Sequence, residues 1–207
     1  VEQISLKDAL YTQRAVRHFS DKPVSDDTLH AILDAAIRAP SGGNRQPWRF
    51  LVIRDLETKK RLGLWYLEAW TNMINNMTEE ERKAQPYRSG SELAHGMDRV
   101  PVVILACLEH PGANPPAPGP VARGASIYPA VQNLMLAARA LGLGTVITTL
   151  HTRHEQEIKE YLGIPPNVET AALIPLGYPS EGVRFVPGRR QPLEEVVFYD
   201  RWNGKKA

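Results

Sequence analysis

Apolar positions recur along this chain in two different periods, and the switching between them predicts the elements. Leu29, Ile32, Leu33, Ala36 and Ile37 repeat at helical spacing within 26–38. Arg49-Phe-Leu-Val-Ile-Arg54 is instead a short apolar run bounded by charges, the pattern of a buried strand. The same reading gives a helix over about 5–14, a long polar helix from Glu57 to about Met77, and a strand over 101–108. Thr78 followed by Glu79, Glu80 and Glu81 marks a helix start, since a hydroxyl can cap a free amide and carboxylates suit the positive end of the helix dipole. Ile127, Val131, Leu134, Met135, Ala138 and Leu141 make 125–141 a helix buried on more than one side, ended by Gly142 or Gly144. A strand at about 145–149, a helix at 153–162 closed by Gly163, a strand at 169–178 and a proline-rich C-terminal arm complete the order. The proline-dense run 111–120 predicts a surface loop, because proline lacks an amide donor and fixes φ.

Few strands among many helices, in mixed order, predict an α+β layer fold rather than a βαβ series. A chain of 207 residues, 43% hydrophobic and 23% charged, suits one domain over 1–207 with a sizeable core. The net charge of +2, with arginines scattered and no basic block, gives no ground for a nucleic-acid partner. No apolar run reaches the ~18 residues of a membrane span and no signal peptide opens the chain, so the expectation is a cytoplasmic protein without a membrane partner. Cys107 is the lone cysteine, inside an apolar run, and reads as a core residue without a disulfide partner in its own chain. None of the six histidines forms a His-Glu-x-x-His pair, so no metal is expected. Neither a Gly-x-Gly-x-x-Gly after a strand nor a Gly-x-Ser-x-Gly is present, which removes support for Rossmann binding and acyl hydrolysis.

Chemistry concentrates in two segments. Pro40-Ser-Gly-Gly-Asn-Arg-Gln-Pro-Trp48 joins a helix to a strand, and Gly42 and Gly43 permit close backbone approach to a ligand; taken alone it reads equally well as a plain connector. Gln13-Arg-Ala-Val-Arg-His-Phe-Ser-Asp-Lys-Pro-Val24 places Arg14 and Arg17 three apart on one face of a helix end. In this order and separation the two stretches resemble the flavin-dependent nitroreductase family. That family shows an Arg-rich helix end, a Phe and a Pro-Val step, then a Pro-Ser-x-x-Asn-x-Gln-Pro-Trp loop. Leu141-Gly-Leu-Gly-Thr-Val-Ile-Thr-Thr-Leu150, the Leu162-Gly-Ile-Pro step, Ile174-Pro-Leu-Gly-Tyr-Pro, and Arg189-Arg-Gln-Pro-Leu-Glu-Glu-Val-Val197 extend the likeness to all but roughly residues 65–125.

The resemblance implies a three-layer fold with a central, mostly antiparallel sheet flanked by helices. It also implies an intertwined homodimer that exchanges C-terminal arms, here about 185–207, and shares two flavin sites. FMN would be the cofactor, NADPH or NADH the donor, and a nitroaromatic, quinone or similar small conjugated molecule the acceptor, in ping-pong hydride transfer. The flavin carries that chemistry, so no catalytic side chain is required. Two alternatives stay open on the same scaffold: an FMN-binding or storage protein, and a flavin-degrading or dehalogenating enzyme.

Residue by residue, the resemblance assigns the phosphate end to Arg14, with Ala15 beside it, and to Arg190, for which Arg189 can substitute; planar guanidiniums suit paired hydrogen bonds to phosphate. Arg17 falls at the pyrimidine edge, where a fixed cation favours the reduced ring, or else pairs with Asp8 or Asp21 on the surface. Pro40, Ser41, Gly42, Asn44 and Gln46 form the loop that reaches the flavin, partly from the neighbouring subunit. The backbone amides of Thr149 and Leu150 fall near flavin N5. Gln13, Ala15 and the Thr-Thr-Leu sequence at 148–150 depart from the better-known relatives, which show Arg, Ser and Pro-x-Glu-Gly there. Trp48 is expected to pack under its loop. His151 either faces substrate or is a polar rim residue. Residues 65–99 are read as a lid insertion with Asn72, Asn75, Asn76 and His95 towards solvent.

Overall fold

Val102–Glu109 is apolar at successive positions rather than alternate ones, and only a strand buried on both faces can use such a sequence. In the computed structural model, which describes residues 4–110, 122, 124–202 and 204, this segment is β2, near the middle of a four-stranded sheet. The order is β1 (Trp48–Ile53), β2, β4 (Val168–Gly177), β3 (Gly144–Thr145), with every neighbouring pair antiparallel. The proline-dense run 111–120 lies outside the described residues.

Alternate residues of β2 feed two cores. Val102, Ile104, Ala106 and Leu108 meet Ile32 of α2 (Asp26–Ala36) and Leu134 of the long helix Ile127–Ala140. Val103, Leu105 and Cys107 meet Leu62 and Tyr66 of α3 (Leu56–Ile74), Leu93 of α5 (Tyr87–Ala94) and Ile158 of Glu155–Leu162. The long helix is α6, the last helix α7, and a short α4 (Glu79–Lys83) opens on a capping box between Thr78 and Glu81. This is an α+β fold of three layers, helices on both faces of an antiparallel sheet. Among the described residues no helix is long and apolar enough to cross a membrane.

Two elements differ from the sequence-based expectation. Helix α1 spans only Leu6–Thr12, and Gln13 already has extended dihedrals. The chain then runs along the sheet: the Val16 amide donates to the Thr145 carbonyl at 2.9 Å, Ser20 to Tyr178 at 2.9 Å, and Ala15 bridges Thr145 in parallel. Arg14 and Arg17 therefore project from an extended segment and not from a helix face. Pairing with a distant edge satisfies amides that local periodicity would have assigned to a helix. Gly144 makes the approach possible, since a Cβ there would lie 2.6 Å from Val16.

The strand expected over 145–149 is the second case, because it pairs regularly only at Gly144–Thr145. The next position faces Pro175, which has no amide to return, and pairing resumes only as a single bridge between Thr148 and Leu173.

Within 65–99 apolar and polar side chains divide. Tyr66, Trp70 and Met97 are core, Trp48 is core as expected, and Asn72, Asn75, Asn76 and His95 face solvent. The arm beyond Val183 is different again. Its backbone hydrogen bonds are all internal among the described residues, and Leu193, Val196, Tyr199 and Trp202 are exposed. Its root is fixed by Arg139, whose guanidinium lies 4.1 Å from the Phe185 ring centroid and donates through Nε to Thr12 Oγ1 at 2.8 Å.

Candidate functional site

A cleft of about 630 Å³ opens where the extended segment, α6 and the arm meet. Arg14, Ala15 and Arg17 enter it from the segment, and Arg190 from the arm. The apolar part comes from Val131 and Met135 of α6, both buried, and from Val146 and Ile147 just after β3. Three guanidiniums thus converge on one apolar-floored space, and neither Arg14 nor Arg17 makes a hydrogen bond or ion pair with another described residue. The alternative for Arg17, a surface pair with Asp8 or Asp21, is not what the structure contains.

Electrostatics around Arg17 follow from its half-buried position. Burial pushes its pKa down; the buried Tyr66 hydroxyl pulls it back up, and the neighbouring Arg14 charge adds to the lowering. Guanidinium has so high an intrinsic pKa that it stays charged through such a shift. Tyr66 itself is raised by burial, against the opposing pull of Thr148 and Arg17. The result is a half-buried cation lining the cleft, with no carboxylate among the groups that act on it. An anion entering the cleft meets that charge with little competition from protein.

Arg190 lines the cleft and Arg189 does not, although the sequence leaves the two interchangeable. Pro40, Ser41, Gly42, Asn44 and Gln46 lie elsewhere in the same chain. Their loop stands against the start of α6, where the Gly42 amide donates to Ser126 Oγ at 3.4 Å. Gly43, Asn44 and Gln46 all have positive φ, at 60°, 51° and 52°. For Asn and Gln that conformation is sparsely populated and is held here by local bonds, Gln46 N to Ser41 Oγ at 3.0 Å and Asn44 N to Ser41 O at 3.0 Å. Asn44 and Gln46 are exposed and do not line the cleft of their own chain, and Gln46 Nε2 donates to Asn44 Oδ1 at 3.2 Å.

Thr149 and Leu150 begin a short 3₁₀ helix, Leu150–His154, two residues beyond the cleft-lining Ile147. Amides at a helix start lack an intrahelical acceptor, so both are available as donors. Neither residue lines the cleft of the single chain.

His151, the next residue, corrects an expectation. It neither lines the cleft nor sits at a rim, being only 1% exposed beneath α3, and among the described residues neither ring nitrogen has a hydrogen-bond partner. Burial pushes its pKa down to about 4, with partial offsets from Glu155 and the Thr170 main chain. Cys107 is likewise pushed up to about 12 by burial, which makes it inert as a nucleophile. Among the described residues there is no cluster of His, Cys, Asp or Glu able to hold a metal.

Sequence reasoning missed Tyr128 and Gln132, which line the cleft together with Val131 and Met135. The spacing 128, 131, 132, 135 is one helical stripe, and its mixture of polar and apolar residues was the available signal.

The nitroreductase family model matches residues 10–178. A putative NADH dehydrogenase/NAD(P)H nitroreductase of Archaeoglobus fulgidus is 30% identical over 93% of this chain and 96% of its own length. Iodotyrosine deiodinase 1 of Rattus norvegicus is 26% identical over 91% of this chain and 67% of its own. Among solved structures, a putative nitroreductase in complex with FMN from Desulfovibrio desulfuricans superposes with a TM-score of 0.69 at 26% identity, covering 97% of this chain and 99% of that one. The chain belongs to the nitroreductase family of oxidoreductases.

Proposed function

We propose that the cleft binds FMN and that the protein transfers electrons from NADH or NADPH to a small conjugated acceptor, such as a nitroaromatic or a quinone. The observation that carries this is the convergence of Arg14, Arg17 and Arg190 on one apolar-floored space of about 630 Å³. That donor set suits the group: a phosphate calls for planar guanidiniums, and a flat ring calls for apolar walls. When bound, FMN supplies the two-electron chemistry.

The chain's own residues bind, orient and shield. Arg14 and Arg190 hold the phosphate, with the Ala15 backbone alongside. Arg17 would serve the pyrimidine end, where its unneutralised charge would favour the reduced cofactor. Val131, Met135 and Val146 would shield a bound ring from water. The Thr149 and Leu150 amides offer donors that suit either oxidation state.

Pro40, Ser41, Gly42, Asn44 and Gln46 serve a second copy's cleft, and this is why their loop is preformed yet turned outward. A homodimer would also cover Leu193, Val196 and Trp202 of the arm and Leu6, Leu10 and Tyr11 of α1, all exposed in the single chain.

The iodotyrosine deiodinase relative supports a second reading in which the acceptor is a halogenated aromatic and the outcome is reductive dehalogenation. One experiment tests the shared claim and then divides the readings. FMN-loaded protein is mixed anaerobically with NADPH or NADH while the flavin band near about 450 nm is followed. Bleaching is expected, and its recovery with nitrobenzene, quinone or iodophenol derivatives identifies the acceptor. Bound flavin that neither nucleotide bleaches contradicts the donor assignment and points to storage.

A further inference from the structure

Arg17 has a second side. A smaller cavity of about 210 Å³ is lined by Arg17 and His18 of the extended segment, Glu92 and Gly96 around the end of α5, Arg99, and Ser180 after β4. It is strongly polar, unlike the main cleft, and the two share Arg17 as a common wall. Two arginines line it with a single carboxylate residue, Glu92. Glu92 is engaged by His18, whose Nε2 lies 3.1 Å from Glu92 Oε2. Arg99, the exposed last residue of the 3₁₀ turn Met97–Arg99, donates its amide to the Gly96 carbonyl at 3.0 Å, while its guanidinium makes no hydrogen bond or ion pair among the described residues. Its guanidinium packs over Gly96, where a Cβ would lie 2.6 Å from Arg99 Nη2, so glycine leaves room for the side chain to lie across the cavity.

From these features we infer that the small cavity is an anion subsite, taking the carboxylate or phosphate of a substrate whose flat body occupies the main cleft. The inference rests on the FMN reading for that body's position. A space of this size is below the ~300 Å³ at which whole-ligand pockets begin, and it suits one charged substituent. Uncompensated arginines beside a polar cavity are the arrangement that recognises carboxylate or phosphate, since the fork of donors matches two oxygens at once. Arg99 confers the preference, and Glu92 opposes it from the facing wall. The ligand class is therefore an anionic acceptor or, by the same chemistry, the phosphate-bearing nucleotide NADPH. Residues 92–99 lie within the segment read as a lid, and this gives that segment a selective task.

Calorimetric titration of benzoate and its neutral counterpart benzamide into FMN-loaded protein tests the claim directly. Wild type is expected to favour benzoate by about 10-fold or more, the effect of a hydrogen-bonded charge. Arg99→Gln should reduce that preference to near parity, Arg99→Lys restore part of it, and Glu92→Gln widen it. A merely structural role for Arg99 would not give opposite shifts at Arg99 and Glu92. The kcat/KM ratio of 4-nitrobenzoate to 4-nitrobenzamide should move in step. If Arg99→Gln lowers the preference for NADPH over NADH instead, the anion is the nucleotide phosphate. If neither ratio changes in any variant, the subsite is overturned. FMN affinity measured in parallel separates the two claims: Arg99→Gln should leave it at the wild-type value, while failure of wild type to bind FMN would remove the reading beneath.

Discussion

Two extended segments carry guanidiniums into one cleft, and they are held very differently. Residues 13–20 are laced to the sheet by Val16 to Thr145, Ser20 to Tyr178, and Ser180 to the His18 carbonyl at 3.1 Å. The arm beyond Val183 is tied to its own chain by Arg139 on Phe185 and leaves Trp202 82% exposed. The backbone that carries Arg14 and Arg17 is thus preorganised, whereas the arm that carries Arg190 is loosely tied, its guanidinium donating only to the adjacent Arg189 carbonyl at 2.9 Å. Preorganised donors lose little freedom on binding, so the same guanidinium chemistry should be worth more on the laced segment than on the arm.

The largest expected effect tests how sturdy the fixed side is. Buried His151 packs against the same sheet and its pKa is pushed down to about 4 by burial, below the ordinary 6.5. Between those values the unfolded chain takes up a proton that the folded chain refuses. Its contribution is complete above about 6.5 and is lost as pH falls towards 4, by on the order of 3 kcal/mol in all. Denaturant melts from pH 7 to 4 should show that slope in wild type and a flatter one in His151→Phe.

Next comes the lacing itself. Gly144→Ala would drive a Cβ into Val16, at a cost of about 1–3 kcal/mol for overpacking beside a backbone that cannot yield. Thermal melts should show the loss, together with weaker FMN binding, although residue 144 touches no part of the cleft.

Direct removal of charge is then expected to rank the two segments. Arg14→Gln should weaken FMN by about 10- to 100-fold, as for the loss of charge-assisted hydrogen bonds. Arg190→Gln should cost only about 3- to 10-fold, because ordering the arm already consumes part of what its contact gains. The smallest effect belongs to Arg189→Gln, expected within about 2-fold of wild type because its side chain does not line the cleft. Fluorescence titration with FMN measures all three. Equal losses at 14 and 190 would break the comparison.

Much of this architecture was legible in the sequence, and the exceptions share a cause. Helices α2, α3, α6 and α7 and strands β1, β2 and β4 carry their own periodicity and caps, so local reading finds them. The end of α1 does not: the helix expected to about residue 14, with Arg14 and Arg17 on its end, stops at Thr12 because Thr145, more than a hundred residues away, offers its edge. The strand after β3 fails for an equally distant reason, a proline on the neighbour. His151 sits among polar residues in sequence and is buried only because α3 folds over it. Arg14, Ala15, Arg17 and Arg190 were found by motif and do meet in one cleft, but the choice of Arg190 over Arg189 needed the course of the arm. Tyr128 and Gln132 went unseen because a cleft stripe and a solvent stripe look alike on a helix.

The most direct test of the central claim is an equilibrium titration of the purified protein with FMN, followed by flavin fluorescence, for wild type and for the combined Arg14→Gln, Arg17→Gln, Arg190→Gln variant. The account predicts saturable binding by wild type and its loss in the variant, with folding intact by circular dichroism. Equal binding by both proteins, or none by wild type, would contradict it.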